Sequence, residues 1–275
     1  MTHYLNNQFD HRRYYDVADE TPFWSAPFGL KLLDFVNYRP SISALDIGFG
    51  TGFPLTELAM RLGASSNLFG IDPCVEAFDR VNNKLEYYGI KNVTLIEGVA
   101  ENIPLPDLSL DLITSNNGIN NVKNRVQVFK ECFRLLKPYG QFVMTLNTEL
   151  TMVEFYNSFE RVLVKLGMEE VIDRMRSHIL IKRPPVDLLV TELEDAGFKI
   201  NHIASDQFCY RFADGSAMLN HFFIRFAFME PWVQLLPAEN VMTVFTMVED
   251  DLNQNAISNG MTLTIPFVLI DSLRY

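Results

Sequence analysis

An acid followed by three alternate glycines stands at Asp46-Ile47-Gly48-Phe49-Gly50-Thr51-Gly52. A short β-branched and aliphatic run, Ile42 to Ile47, leads into it, and an amphipathic stretch, Leu55 to Leu62, follows. That order reads as strand, glycine-rich turn, helix. Glycines let a backbone pass close to a ligand and take positive φ without a Cβ clash. A helix opening near Gly52 and Phe53 offers unpaired N–H groups and the positive end of its dipole to an anionic group. These are the properties of a loop that holds a nucleoside cofactor. A dinucleotide fingerprint would need a glycine at position 53, where Phe53 stands, and a bare glycine turn would have no use for the preceding acid.

The elements that must position this loop continue the pattern. Leu68-Phe69-Gly70-Ile71-Asp72 reads as a second strand with an acid at its carboxyl end, where a carboxylate can accept both ribose hydroxyls. Val93 to Ile96 gives a third strand, followed by Glu97-Gly98-Val99-Ala100-Glu101-Asn102-Ile103-Pro104. Asp111 to Asn117 reads as a fourth strand, Val126 to Leu136 as a helix, Lys137 to Gly140 as a turn and Gln141 to Leu146 as a fifth strand. Alternating strands and helices predict a parallel sheet with helices on both faces and right-handed crossovers. A ligand then belongs outside the carboxyl ends of the strands, where Gly48 to Gly52, Asp72, Glu101 and Asn116 all fall.

In form and order these motifs resemble the class I S-adenosylmethionine-dependent methyltransferases, whose first motif is acid-x-Gly-x-Gly-x-Gly. The likeness covers residues 25–147 and is closest to the enzymes of quinone biosynthesis and small-metabolite tailoring. It implies an α/β, Rossmann-like fold: a mostly parallel seven-stranded sheet with an antiparallel last strand and a helical cap. It also implies S-adenosylmethionine as cofactor and S-adenosylhomocysteine as product. Carried over residue by residue, Asp46 orients the glycine loop or meets the methionine amine, and Gly48, Gly50 and Gly52 permit close approach. Phe49 packs on the cofactor where the family commonly has cysteine or serine. Asp72, with Pro73 after it, holds the ribose; Ala100 and Glu101 face the adenine. Read from the residues themselves, Asn116 and Asn117 hydrogen-bond the cofactor's methionine end or the substrate. Ser115 to Val122 is similar to a segment of arsenite methyltransferases, but Asn117 replaces their cysteine, and Cys74, Cys132 and Cys209 lie elsewhere. The prolines and aromatic of nucleobase amino-methyltransferases are missing after Asn116-Asn117.

Composition narrows the rest. A chain of 275 residues with 48% hydrophobic content can bury a large core as one elaborated domain. A formal charge of −11 argues against nucleic acid as partner, because phosphate neutralisation needs a basic face. The cysteines have no metal-ligand spacing and no disulfide framework, so no metal is expected. The polar N-terminus lacks a signal peptide's apolar core and no run is long enough to span a bilayer, which predicts a cytoplasmic protein.

Six segments are expected: an aromatic N-terminal helical segment or lid (1–36), a cofactor-binding core (37–149), a helical insertion (150–184), a core helix and strand (185–213), a second helical insertion (214–257) and a last core strand (258–275). The insertions, rich in Met, Phe and Trp, are expected to form a cap over the strand ends that favours a small apolar acceptor. Tyr14, Tyr15, Asn117, Phe222 and Trp232 are the candidate acceptor contacts, and His221, among aromatic neighbours, is the candidate base. The reading is methyl transfer to O, N or C of a small molecule by in-line displacement, where the enzyme mainly supplies alignment and excludes water. The alternative is a non-catalytic protein that binds the cofactor as a sensor or scaffold. A nucleotide-dependent oxidoreductase is disfavoured by Phe53 and Glu101.

Overall fold

Four of the five residues of β1 (Ser43–Ile47) are buried, as befits a central strand of a parallel sheet covered on both faces. The computed structural model describes Leu5 and residues 24–257 and 260–275; Tyr14 and Tyr15 lie outside the described residues. α1 (Ser25–Phe35) precedes β1, and α2 (Leu55–Leu62), β2 (Asn67–Asp72), α3 (Phe78–Tyr87), β3 (Val93–Glu97), β4 (Leu110–Asn116), α4 (Arg125–Leu135) and β5 (Leu136–Asn147) follow. Then come α5 (Val153–Lys165), α6 (Glu169–Lys182), α7 (Val186–Asp195), β6 (Phe198–Phe212), α8 (Gly215–Asn220) and α9 (Phe222–Ile224). A π turn over Arg225–Met229 leads to α10 (Glu230–Val233), and α11 (Val241–Ala256) and β7 (Met261–Arg274) complete the chain.

The seven strands lie in the order β3-β2-β1-β4-β5-β7-β6. β1 to β5 pair in parallel, and β7 pairs antiparallel with β5, Gln141 opposite Leu273 through Asn147 opposite Phe267. The mostly parallel Rossmann-like sheet with an antiparallel last strand is therefore present. β1 has β2 on one side and β4 on the other, so the crossovers diverge between β1 and β4. That divergence is where open α/β sheets bind ligands.

Alternation along β1 sorts its side chains to two faces. Leu45 and Ile47 join one apolar cluster with Val128, Phe129, Cys132 and Leu135 of α4 and Leu189 and Leu193 of α7. Ala44 joins the other, with Leu32 and Leu33 of α1, Leu55 and Leu58 of α2 and Val81 of α3. Asp46 shares Ala44's face and so enters an apolar layer. The expected turn at Lys137 to Gly140 sits inside β5 as an irregularity: Leu110 pairs with Leu136 but Leu112 with Gln141, and Tyr139 takes φ 63°.

Two units divide the chain. The sheet unit holds residues 24–148, Pro184–Asp206 and Phe267–Tyr275; the helical unit holds Leu5, Glu149–Arg183 and Gln207–Pro266. Both boundaries on the last two strands fall inside β6 and β7, which run on past the sheet unit, whereas the sequence suggested breaks near 213 and 257. In β7 the continuation buries Met261, Leu263 and Ile265 alternately, the signature of a ribbon covered on one face. The helical unit has its own aromatic core. Trp232 is fully buried, stacks on Phe155 at 3.7 Å and donates its indole N–H to the Tyr156 hydroxyl at 3.0 Å.

Candidate functional site

The loop between β1 and α2 is built by glycines that no other residue could replace without strain. Gly48, Gly50 and Gly52 take φ of 75°, 51° and 102°. A Cβ on Gly48 would meet the Gly118 Cα at 3.1 Å, whereas one on Gly50 would meet nothing within 4 Å. Gly50 therefore presents bare backbone outward, the requirement for close approach by a ligand. The Gly52 N–H donates to the Phe49 carbonyl at 2.8 Å, and the Thr56 N–H and hydroxyl both donate to the Gly52 carbonyl. Lys84 of α3 donates to the Thr51 carbonyl at 2.7 Å.

Asp72 ties that loop to β2. Its Oδ2 accepts the Gly50 N–H at 2.9 Å and its Oδ1 accepts the Cys74 N–H at 2.8 Å, spanning the exposed Pro73. Burial raises its pKa, and the two backbone donors oppose that rise. Asp46 is more isolated. Its Oδ1 accepts the Thr114 hydroxyl at 2.8 Å, while Oδ2 is buried with no hydrogen-bond partner among the described residues. Burial pushes its pKa up to about 7; the Thr114 hydrogen bond opposes the shift and the neighbouring Asp72 charge adds to it.

A second polar cluster occupies the ends of β4 and β5. Asn116 donates to the Ser25 carbonyl at 3.0 Å and accepts the Thr145 hydroxyl at 3.1 Å, fixing the start of α1 against the sheet. Asn117 takes φ 59°, a left-handed conformation asparagine tolerates, and its Oδ1 accepts from Asn120 at 2.6 Å and from the Asn147 N–H at 3.2 Å. Asn120 also donates to Asn147 Oδ1, so its amide nitrogen faces two oxygens. That orientation leaves Asn120 Oδ1 buried without a donor among the described residues. Two orphaned acceptors, on Asp46 and Asn120, thus accompany a glycine cradle at the carboxyl ends of the strands. A nucleoside ligand with a cationic, N–H-bearing tail suits that donor-poor set.

Several expected contacts are placed differently. The Phe49 side chain is core, not cofactor surface: it is 1% exposed, packs against Gly70 and meets Phe78 edge-on at 5.1 Å. Gly70 lacks the Cβ that would collide with that ring at 2.8 Å. Glu101 spends Oε1 on the N–H groups of Lys123 and Asn124 ahead of α4, while Ala100 is buried in the neighbouring apolar cluster. Trp232 belongs to the helical core: it is fully buried, and Phe228 lies 5.8 Å from it in addition to Phe155. In the helical unit His221 lies 5.3 Å from Phe212 and 6.4 Å from Tyr210, its Nδ1 has no partner among the described residues, and burial lowers its pKa. Phe222 stacks on Phe226 at 5.9 Å.

Gly29, Thr114, Asn120 and Asn147 were not singled out by sequence. Gly29 of α1 lets the helix lie on the loop: a Cβ there would sit 2.2 Å from the Phe53 ring and 3.0 Å from the Asn116 amide. A threonine one residue ahead of Ser115-Asn116 carries no signal until β4 is registered against β1. Among the described residues no group of histidines, cysteines and acids could hold a metal, and no helix is long and apolar enough to cross a membrane.

Comparison with known proteins agrees with this geometry. The family described as "Methyltransferase domain" matches residues 45–144. A demethylmenaquinone methyltransferase of Lactobacillus johnsonii is 32% identical over 165 residues, 57% of this chain and 67% of that protein. One from Geobacillus sp. (strain WCH70) is 32% identical over 120 residues, 44% of this chain and 51% of that protein. The chain thus spans about half the length of several of the curated relatives it matches. Among solved structures, the YcgJ protein of Bacillus subtilis superposes with a TM-score of 0.60 at 18% identity, covering 90% of this chain and 98% of that one, a likeness of fold. The glycine loop, the paired acids at the ends of β1 and β2 and these relatives together place the chain in the class I S-adenosylmethionine-dependent methyltransferases.

Proposed function

We propose that this protein transfers a methyl group from S-adenosylmethionine to a small, apolar acceptor. The observation that carries the reading is the loop Gly48 to Gly52, held open at Gly50 by Asp72 beside the unpartnered Asp46 oxygen. In this reading Gly48, Gly50 and Gly52 admit the cofactor, and Asp72 turns its remaining lone pairs to the ribose. Asp46 faces the positively charged methionine end, and Asn120 supplies a further acceptor there. The cofactor, when bound, supplies an already activated methyl group, so the chain's own residues need only align the partners and exclude water.

The names of the relatives support a quinone-like acceptor, a reduced ring with an attackable oxygen or carbon. His221, whose pKa burial lowers, is the base we assign to a hydroxyl or acidic-carbon acceptor. The test is incubation with methyl-labelled S-adenosylmethionine and a panel of hydroquinones, naphthols and aliphatic amines. Label in a hydroquinone or naphthol is expected. Label only in amines would refute the acceptor class, and none in any compound, with cofactor bound, would refute the activity.

A further inference from the structure

Two carboxyl groups flank the glycine loop, and the structure treats them differently. Asp72 has both oxygens engaged by backbone N–H groups, from Gly50 and Cys74, the arrangement that stabilises a carboxylate. Asp46 has one oxygen engaged by a neutral hydroxyl and the other by nothing described, in an apolar layer where it is 1% exposed. The groups that face it are few. β4 contributes the Thr114 hydroxyl and β2 contributes the like-charged Asp72. Its register partner on β2 is Gly70, which has no side chain to offer. On α3 the Lys84 ammonium donates to the Thr51 carbonyl, and on α1 Lys31 pairs with Asp206 at 3.2 Å. Among the described residues no cation acts on Asp46 to balance its charge. A buried, unpaired carboxylate beside a second one is the costly microstate, and the system avoids it by holding a proton.

We propose that Asp46 carries a proton in the free protein and releases it to solvent when the cationic methionine end of the cofactor arrives, so that cofactor binding is coupled to proton release. The inference rests on the reading of this site as one for S-adenosylmethionine. No bond other than O–H is broken: the proton passes to buffer and the carboxylate remains as partner of the ligand's ammonium. Both S-adenosylmethionine and S-adenosylhomocysteine carry that ammonium, so both should act alike. The supporting shift of Asp46 toward neutrality has burial as its main cause.

The experiment is calorimetric titration of the full chain with S-adenosylhomocysteine in phosphate and in imidazole buffer, whose ionisation heats differ widely. With a free-protein value near 7, about 0.9 proton should be released per ligand at pH 6 and about 0.1 at pH 8. Affinity should rise about tenfold per pH unit between pH 5 and 6.5 and then level off. Asp46→Asn should bind more weakly and release no proton at either pH. Thr114→Val, which removes the hydrogen bond favouring the carboxylate, should move the release to higher pH and serves should Asp46→Asn fail to fold. Binding to the wild type at pH 6 with the same heat in both buffers would overturn the proposal and leave the cofactor reading intact. Proton release undiminished in Asp46→Asn would overturn it equally. Failure of a folded sample to bind either ligand at any pH would instead sink the cofactor reading, and the proposal with it.

Discussion

Asp46 and Thr114 are register partners across β1 and β4, and the Thr114 hydroxyl donates to Asp46 Oδ1 at 2.8 Å. This pair bridges the two strands between which the crossovers diverge. The acid is thereby held in an apolar layer, where its one hydrogen bond among the described residues comes from a neutral donor. A carboxyl so placed serves folding poorly and a cationic ligand well. Asp72, one strand over, serves the loop itself through Gly50.

Asp72→Ala should weaken S-adenosylhomocysteine binding more than tenfold, through loss of charge-assisted hydrogen bonds worth about 1.5–3 kcal/mol. The change also frees the Gly50 N–H from its anchor. Calorimetric titration checks this, and an unchanged affinity would remove Asp72 from the site.

Stability of the free protein should fall as pH rises from about 4 to about 7. The folded value of Asp46 is raised from 3.8 to about 7, so across that window the folded state holds a proton the unfolded state has lost. Ionising it at higher pH costs up to about 4 kcal/mol. Asp46→Asn removes that cost but leaves an amide hydrogen unpaired, so a net gain of about 1–3 kcal/mol is expected at pH 8 and little at pH 5. Urea unfolding at the two pH values measures it; equal effects at both would contradict the assignment.

Gly29→Ala should destabilise the sheet unit by about 1–3 kcal/mol and lower cofactor affinity, because its Cβ would fall 2.2 Å from the Phe53 ring next to the loop. Thermal unfolding together with titration tests both halves of the statement. A neutral effect would mean that Phe53 yields freely.

Trp232→Ala should cost about 3–5 kcal/mol of stability, since it removes a fully buried ring stacked on Phe155 and hydrogen-bonded to Tyr156. Affinity for S-adenosylhomocysteine should be unchanged in the folded fraction. A stable variant with altered acceptor turnover would return Trp232 to the acceptor pocket.

The succession of core strands and helices, the glycine loop and the acids at the ends of β1 and β2 were legible because each is a local pattern: apolar runs, glycines at alternate positions and an acid at a strand end. What the sequence could not disclose depends on contacts between distant residues. Phe49 looked like cofactor surface because it lies between loop glycines, yet the missing Cβ of Gly70 gives its ring a core site. Glu101 matched an adenine-binding position, but its carboxylate oxygen is spent on the N–H groups of Lys123 and Asn124. Trp232 had the composition of a pocket wall, and only its contacts with Phe155, Tyr156 and Phe228 identify it as core. Asn120 gained meaning only once its amide was found between Asn117 and Asn147, which fixes the unpartnered oxygen.

The most direct test of the account is calorimetric titration of the folded protein with S-adenosylmethionine and S-adenosylhomocysteine, with NAD as control. Micromolar binding of both, with NAD silent, is the predicted result. Absence of binding by either, or NAD binding in their place, would contradict the assignment of the glycine loop.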